Sequence, residues 1–309
     1  MIKVLINDGL EKSAIEELKK FDIDIINEHF EGEELENKIK EVNAIIIRSA
    51  TKIRKDLIDK AGETGNLKLI IRGGVGVDNI DVDYAVKNGI EVRNTPAASS
   101  NSVAELALGQ MFVLARFINQ ANLTMKNGEW NKKKYTGIEL ANKKVGIIGM
   151  GRIGRALGKK CYALGMKVGY FDTLGKIDDL EDYEALTLDE LLKTSDVISI
   201  HIPSTDVLIG KKEIEKMKDG VFIVNTARGT VIDNEALLDA LDRGKVGGAA
   251  LDVFANESKP DERLVNHEKI SPTPHIGAST KEAQERIGNE IVSIVKECFS
   301  LKYKEAVLW

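Results

Sequence analysis

The sequence has 309 residues, 43% of them hydrophobic and 30% charged, and a formal net charge of -5 at pH 7. This length favours two domains, and the composition is that of a folded globular protein. The negative balance argues against general binding to nucleic acid or to an anionic membrane. Cys161 and Cys298 lie in segments predicted as helices. We therefore expect neither a disulfide framework nor a metal site, and a reduced cytoplasmic setting.

The N-terminal run MIKVLINDGL predicts a first strand, because its apolar stretch is too short for a secretory signal. Residues 1–96 alternate short β-rich runs with helical patterns, which predicts βαβ units around a mainly parallel sheet. The predicted strands are KVLIND, AIIIRS, KLIIRG and IEVRN. A long apolar helix follows and is predicted to begin near Ser102, with Glu105 completing a capping box. Because its apolar residues run round most of its surface, we expect this helix to lie between domains or subunits. It falls short of the roughly 20 residues of a membrane span.

A second series of strands begins at Lys144 and comprises KVGIIG, KVGYFD, DVISIH, GVFIVN, VGGAALDV and a short strand near residues 269–271. Thr187 with Glu190, and Ser279 with Glu282, predict two further capping boxes. The last helix is predicted to end at about Ser300 and is free to pack on the first domain. The sequence therefore predicts a first domain made of residues 1–96 and 279–309, with a second domain of residues 97–278 inserted.

The segment KVGIIGMGRIG places Gly149, Gly151 and Gly154 in the spacing G-x-G-x-x-G between a predicted strand and a predicted helix. In such a loop the glycines allow a tight turn, close approach of pyrophosphate and close packing of helix on strand. Asp172 ends the next strand, where a carboxylate can accept hydrogen bonds from ribose hydroxyls and repel a 2′-phosphate. The sequence therefore predicts a dinucleotide site that prefers NAD to NADP, although Lys176 is near enough to matter.

Polar residues that follow strands are the first candidates for chemistry, because ligands of open α/β sheets bind beyond the carboxyl ends of the strands. Oxidation of a hydroxyl with NAD needs a base, and histidine has a suitable pKa. Of the four histidines, His29 is expected to be solvated, His267 to be a surface or structural residue and His201 to form a wall beside the cofactor. His275 is the best candidate, although an isolated histidine in such a turn is usually structural. The other candidates at strand ends are Asp172, Arg228, Asp252 and Glu257.

Seven strings together resemble the D-2-hydroxyacid dehydrogenases over essentially the whole chain: IRSAT, RGGVGVDNID, NTPAASSNSVAEL, GIIGMGRIG, VNTARG, GAALDVF and PHIGASTKEAQ. The resemblance implies an α/β fold with two doubly wound parallel-sheet domains, in which a Rossmann NAD-binding domain is inserted into a flavodoxin-like substrate domain. It also implies that Arg228, Glu257 and His275 form the catalytic set. The cofactor contacts it implies, together with the glycine loop, are Arg152, Ile153, Asp172, His201, Ile202, Pro203, Thr226, Ala227, Arg228, Asp252, His275, Gly277 and Ala278. Ile202 stands where some relatives have threonine, so we expect only its backbone or apolar surface to contribute.

Within the family, IRSATKI, IRGGVGVDNID and LVNHEKISPTPHIGASTKEAQERIG look closest to the members that oxidise D-3-phosphoglycerate to 3-phosphohydroxypyruvate, the first step of phosphorylated serine biosynthesis. Arg48 and Arg72 each end an apolar run, and two cations beyond a carboxylate clamp suit a phosphorylated substrate. Lys132 is predicted to reach the substrate from a neighbouring subunit of a homodimer or homotetramer. The other predicted substrate contacts are Ser49, Gly73, Gly74, Val75, Arg228 and His275.

Two alternatives remain open at this stage. The first is the same reaction on an unphosphorylated acid such as glycerate, hydroxypyruvate or a branched-chain hydroxy acid. The second is an NAD-sensing protein like the transcriptional corepressors that share this fold, against which Arg228, Glu257 and His275 weigh. Because long members of the family carry C-terminal domains that bind serine and this chain ends at Trp309, we expect a short form without such inhibition.

Overall fold

The computed structural model describes residues 1–302. They form two units: residues 1–99 with 278–302 are unit 1, and residues 100–277 are unit 2. The predicted boundaries, after residues 96 and 278, lie close to these division points. The end of the predicted C-terminal segment, residues 303–309, lies outside the described residues.

Unit 1 contains a five-stranded sheet in which all neighbouring strands are parallel. Its strands are β1 (Ile2–Ile6), β2 (Ile23–Asn27), β3 (Ala44–Ile47), β4 (Leu69–Arg72) and β5 (Glu91–Asn94). They lie in the order β2-β1-β3-β4-β5, which is the flavodoxin-like order. The strand β2 was missing from the prediction. It lies at the edge of the sheet and buries only Ile23, so its apolar pattern is weak.

Helices cover both faces of this sheet over two apolar clusters. They are α1 (Lys12–Leu18), α2 (Gly32–Ile39), α3 (Lys55–Gly62), α4 (Val82–Lys87) and the C-terminal helix (Lys281–Cys298). The C-terminal helix packs closely on α1, since a Cβ at Gly288 would lie 2.6 Å from that of Ala14. The predicted capping box at Ser279 is wrong by one residue: Thr280 caps this helix and accepts a hydrogen bond from Ala283 N.

Unit 2 contains a seven-stranded sheet, which is also parallel throughout. Its strands are β6 (Lys144–Ile148), β7 (Lys167–Phe171), β8 (Glu184–Ala185), β9 (Val197–Ile200), β10 (Val221–Asn225), β11 (Val246–Leu251) and β12 (Ile270–Pro272). The order β12-β11-β10-β9-β6-β7-β8 is that of a Rossmann sheet with one added strand. The two-residue β8 was not predicted. The predicted fold class, with two doubly wound parallel sheets, is confirmed.

Within residues 100–277, unit 2 has seven helices, and all but Ile118–Lys126, which has no buried residue, contribute to two further apolar clusters. The helices are α5 (Ser100–Arg116), α6 (Ile118–Lys126), α7 (Arg152–Ala163), α8 (Leu188–Thr194), α9 (Lys211–Lys216), α10 (Asn234–Asp242) and α11 (Glu262–Val265). The capping box of Thr187 with Glu190 is confirmed. The one predicted at Ser102 is wrong, because α5 begins at Ser100 and Ser102 is buried within it. Within residues 1–302, none of the helices combines the length and apolar character needed to cross a bilayer.

In each sheet, the direction in which successive strands are added changes beside the first strand. This reversal point lies between β1 and β3 in unit 1 and between β6 and β9 in unit 2. Ligands of open α/β sheets bind outside the carboxyl ends of the strands at such reversal points. Asn7 and Arg48 follow β1 and β3, and Gly149 and His201 follow β6 and β9. These four positions locate the candidate sites of the two units.

Candidate active site

The glycine-rich loop joins β6 to α7 and has no room for side chains at two of its three glycines. Gly149 has φ of 93°, and a Cβ there would lie 2.7 Å from the carbonyl oxygen of His201. A Cβ at Gly154 would overlap the carbonyl of Gly149. Gly151 instead faces open space and precedes α7, so the backbone N–H groups at this helix end can receive an anion. The loop therefore fits the pyrophosphate of a dinucleotide.

Asp172 lies directly after β7 and beside this loop. Its Oδ2 accepts a hydrogen bond from Met150 N at 2.8 Å, and its Oδ1 accepts one from Leu174 N at 3.0 Å. These two bonds fix the carboxylate against the loop that would hold the pyrophosphate. The placement suits an acid that binds the ribose hydroxyls next to that pyrophosphate.

His201 follows β9 and has a hydrogen-bond partner for each ring nitrogen. Nε2 lies 2.9 Å from Ser199 Oγ, and Nδ1 lies 3.3 Å from Thr226 Oγ1. Burial lowers the pKa of His201 to about 4, so the ring is neutral near pH 7. The following Ile202 packs on the apolar cluster of unit 2, and Pro203 is exposed. A neutral, bonded imidazole suits a wall of the cofactor site better than an acid or base.

The turn that carries Arg228 is held by Asn225, the buried last residue of β10. Asn225 Oδ1 accepts a hydrogen bond from Ala227 N at 3.0 Å, and its Nδ2 donates to Arg228 O at 2.8 Å. The Arg228 guanidinium donates to Ala227 O at 2.7 Å through Nη1. Asn225 was missing from the predicted site. The signal that could have found it is an amide at the end of the apolar run VFIV, directly before TAR.

His275 and Glu257 meet beyond the ends of β12 and β11. His275 Nδ1 lies 2.8 Å from Oε1 and 2.9 Å from Oε2 of Glu257. The two side chains are 38% and 42% exposed, so the pair is open to solvent. With Nδ1 directed at the carboxylate, Nε2 is the nitrogen available to exchange a proton with a ligand. The structure thus brings together two of the three predicted catalytic side chains.

Asp252 anchors the turn on which His275 lies. The Asp252 side chain is buried, and its Oδ1 accepts hydrogen bonds from Thr273 Oγ1 at 2.6 Å and from Ile276 N at 2.9 Å. Its Oδ2 accepts one from Gly277 N at 2.8 Å. This clamp holds His275 at φ of 52°, a left-handed conformation that a residue other than glycine rarely adopts. Asp252 was predicted as a cofactor contact, and these contacts give it a second role in holding the turn.

In unit 1, Arg48 directly follows β3 and Arg72 ends β4. Ile47 and Arg72 are register partners, so the two arginines lie at the carboxyl ends of neighbouring strands. The Arg72 guanidinium lies across Gly74, where φ is 148° and a Cβ would overlap it. Ser49 and Val75 are exposed in the loops that follow the two strands, while Gly73 is buried.

Three further predicted residues lie elsewhere. His29 is 47% exposed, but it is not simply solvated: Nδ1 donates to Asn7 O at 2.8 Å and Nε2 lies 2.9 Å from Glu31 Oε1. Both hydrogen bonds raise the pKa of His29, and the bond to Glu31 has the larger effect. His267 accepts a hydrogen bond from Lys269 N, in line with a structural residue. Lys132 is exposed and begins the 3-10 turn Lys132–Lys134 of unit 2.

Comparison with known proteins assigns the family. The model of the NAD-binding domain of D-isomer specific 2-hydroxyacid dehydrogenases matches residues 108–277. The chain is 48% identical over 303 residues to a hydroxypyruvate reductase of Thermotoga maritima, a match that covers 96% of this chain and 98% of that protein. It is 41% identical over 314 residues to a D-3-phosphoglycerate dehydrogenase of Methanocaldococcus jannaschii, which covers 100% of this chain and 59% of that protein.

The structural comparison agrees. The crystal structure of a D-lactate dehydrogenase from Aquifex aeolicus, complexed with NAD and lactic acid, matches with a TM-score of 0.86 and 34% identity, over 96% of this chain and 95% of that one. A Rossmann sheet, a glycine loop with its acid and a histidine–glutamate pair define an NAD-dependent dehydrogenase. The chain belongs to the D-2-hydroxyacid dehydrogenase family, and its predicted cofactor, NAD, is confirmed.

Proposed function

We propose that the protein oxidises D-3-phosphoglycerate to 3-phosphohydroxypyruvate with NAD, the first step of phosphorylated serine biosynthesis. The observation that carries this proposal is the pair of arginines, Arg48 and Arg72, at the carboxyl ends of neighbouring parallel strands. A substrate with one carboxylate needs one guanidinium clamp, which Arg228 supplies. Two further cations suit a second anionic group, and guanidinium groups bind phosphate through charge-assisted hydrogen bonds of matching geometry.

We assign roles to the catalytic set that the geometry of His275 and Glu257 supports. Arg228 binds the substrate carboxylate through two parallel hydrogen bonds. His275 Nε2 takes the proton of the substrate hydroxyl, while Nδ1–H stays hydrogen-bonded to Glu257. The negative charge of Glu257 stabilises the imidazolium that results and keeps the ring in one orientation.

The residues of unit 2 fit NAD in three places. The loop of Gly149, Gly151 and Gly154 would hold the pyrophosphate, and Asp172 the ribose hydroxyls. When bound, NAD supplies the acceptor for the hydride that leaves the substrate carbon. The further contacts we propose are Arg152, Ile153, His201, Ile202, Pro203, Thr226, Ala227, Asp252, Gly277 and Ala278.

A second candidate is the reduction of hydroxypyruvate to D-glycerate. It is favoured by the relative from Thermotoga maritima, a hydroxypyruvate reductase that matches this chain over nearly the whole length of both proteins. His275 exchanges a proton with the oxygen on C2 in both candidates: it takes the proton in the oxidation and gives it in the reduction. The candidates differ in that direction and in whether the substrate carries a phosphate.

Steady-state assays with matched substrate pairs test the proposal. The pairs are 3-phosphoglycerate with D-glycerate for NAD reduction, and 3-phosphohydroxypyruvate with hydroxypyruvate for NADH oxidation. We expect kcat/KM to favour the phosphorylated member of each pair by at least tenfold. A preference for the unphosphorylated members would select the second candidate and leave the family chemistry unchanged.

We also propose a homodimer or homotetramer in which Lys132 of one subunit reaches the substrate site of another. Its support is a group of exposed apolar side chains in and after α6, where 47% to 79% of each is accessible. They are Ile118, Leu123, Met125 and Trp130. Large apolar side chains exposed this close together in sequence are candidates for an interaction surface. Light scattering should give a molar mass near twice or four times 34.0 kDa, and a monomer at assay concentration would contradict the proposal.

A further inference from the structure

The loop from Arg48 to Thr51 is fastened by a buried carboxylate at the reversal point of unit 1. Asp8 lies two residues beyond the end of β1, and its side chain is only 4% exposed. Its Oδ2 accepts hydrogen bonds from Arg48 N at 2.6 Å and from Thr51 N at 3.1 Å. Its Oδ1 accepts one from Thr51 Oγ1 at 2.5 Å. His29 Nδ1 lies 3.6 Å from the same oxygen.

Amide side chains fasten the same loop from two more directions. Asn79 Nδ2 donates to the carbonyl oxygens of both Arg48 and Thr51, each at 2.7 Å. Asn7 Nδ2 donates to Thr51 Oγ1 at 2.8 Å. These groups come from positions more than 25 residues away in sequence, so the loop is fixed by tertiary contacts rather than by its own sequence.

Ser49 and Ala50 of this loop are exposed, and only Thr51 is buried. An open cavity of about 430 Å³ borders the loop, lined among others by Asn7, Asp8, His29 and Ala50. A loop beside such an opening depends on polar bonds for its conformation, and a buried carboxylate is costly unless donors surround it. The burial of Asp8 is therefore explained by the backbone N–H groups that it orients.

We propose that Asp8 is a positioning residue for substrate binding, which acts by setting the backbone from which Arg48 and Ser49 project. This inference rests on the proposed function, because it assumes that Arg48 and Ser49 contact the substrate. Asp8 itself is surrounded by protein donors and does not touch the substrate. It determines substrate affinity and leaves the proton transfer at His275 unchanged.

The substitution Asp8→Asn tests this role. It keeps the shape of the side chain and an oxygen for the N–H groups of Arg48 and Thr51, but it removes the negative charge that strengthens those bonds. It also places an NH2 group opposite Thr51 Oγ1, which donates to Oδ1 in the wild type. We expect KM for 3-phosphohydroxypyruvate to rise about tenfold or more. We expect kcat to change by less than about threefold and the Kd of NADH to stay the same.

Asn43→Ala is the matched control. Asn43 makes comparable polar bonds at the opposite end of the same sheet, where Oδ1 accepts from Lys3 N at 2.9 Å and Nδ2 donates to Asn66 O at 3.3 Å. It should lower Tm as Asp8→Asn does, without raising KM. If Asp8→Asn does not fold, Asn79→Ala, which frees the carbonyls of the same loop, should raise KM in the same way.

A double mutant separates positioning from general destabilisation. If Asp8 acts through Arg48, then Asp8→Asn should raise KM by less than about twofold in an Arg48→Ala background. A full tenfold rise in that background would overturn the proposal, and so would a rise in wild-type background no larger than that of Asn43→Ala. In both cases the active wild type would leave the proposed function standing. A wild type that reduces no 2-oxo acid with NADH would remove the basis of both.

Discussion

The loops at the carboxyl ends of the strands are held by different kinds of hydrogen bond in the two units. In unit 2, strand-end residues hold the turns that carry the candidate reacting groups, as Asn225 does for Arg228 and Asp252 for His275. The side chain of His275 is itself fixed by Glu257. In unit 1, Asp8 and Asn79 bind only the backbone and the Thr51 hydroxyl of the arginine-bearing loop.

Under the proposed function, this difference matches the separate tasks of the base in unit 2 and of the arginines in unit 1. Proton transfer needs the base within hydrogen-bond distance of the reacting hydroxyl, so the imidazole must be oriented before the substrate arrives. Recognition of a charged group at the far end of the substrate depends on the position of cations and tolerates more movement. We therefore expect unit 2 to determine the reaction and the loops of unit 1 to determine which 2-hydroxy acid undergoes it.

The largest effect should come from His275→Ala. Loss of the base should lower kcat by about a hundredfold or more, and equally for phosphorylated and unphosphorylated substrates, because the proton leaves the same hydroxyl in each. NADH binding should persist, since the glycine loop is untouched. Stopped-flow and fluorescence titration measure the two quantities.

His267→Ala provides the control for that experiment. His267 belongs to the same unit, and its side chain is 13% exposed and pairs with Asp242 at 3.3 Å. Its loss should leave kcat within about twofold of the wild type. Near-normal turnover of His275→Ala would exclude His275 as the base. It would also contradict the expectation that unit 2 determines the reaction and unit 1 the substrate.

An intermediate effect, confined to one substrate class, is expected from Arg48→Ala and Arg72→Ala. Each substitution should lower kcat/KM for 3-phosphoglycerate by the equivalent of roughly 1.5 to 3 kcal/mol. This is the scale of a hydrogen bond to a charged group. D-glycerate should lose much less. Arg54→Ala, which removes a half-exposed arginine paired with Asp81, is the control and should affect neither substrate. Equal losses on the two substrates would show that Arg48 and Arg72 only support the loops.

The sequence predicted those parts of the fold and site that depend on local spacing. The glycine loop, Asp172 and the strand-end residues Arg228 and Arg72 all follow from a run of apolar residues and the position where it stops. The fastening residues were missed because their partners are distant: Asp8 is 40 residues from Arg48, and Asn79 is 31 residues from it. No pattern within one segment can show such a pair.

The errors in secondary structure have related causes. The sequence does contain the capping pattern at Ser102. However, α5 already begins at Ser100, so the start of the helix depends on the turn that precedes it. The expected long helix also stops at Phe117, whose φ of 54° separates α5 from α6. The strand β2 depends on pairing with β1 rather than on its own apolar pattern, in which only Ile23 is buried.

The smallest effect should come from Asp172→Ala, and it should alter the choice of cofactor without altering the choice of substrate. The carboxylate can bind the ribose hydroxyls of NAD and repel a 2′-phosphate, so its removal should lower kcat/KM for NAD and narrow the ratio of NAD to NADP efficiency by about tenfold. The variant also loses the bonds from Met150 N and Leu174 N, which weakens the loop for both cofactors alike. The ratio is therefore the quantity to measure. Asp178→Ala, which removes an exposed charge from the same loop region, should leave the ratio unchanged. An unchanged ratio in Asp172→Ala, or wild-type efficiency with NADP equal to that with NAD, would show that cofactor choice is made elsewhere in unit 2.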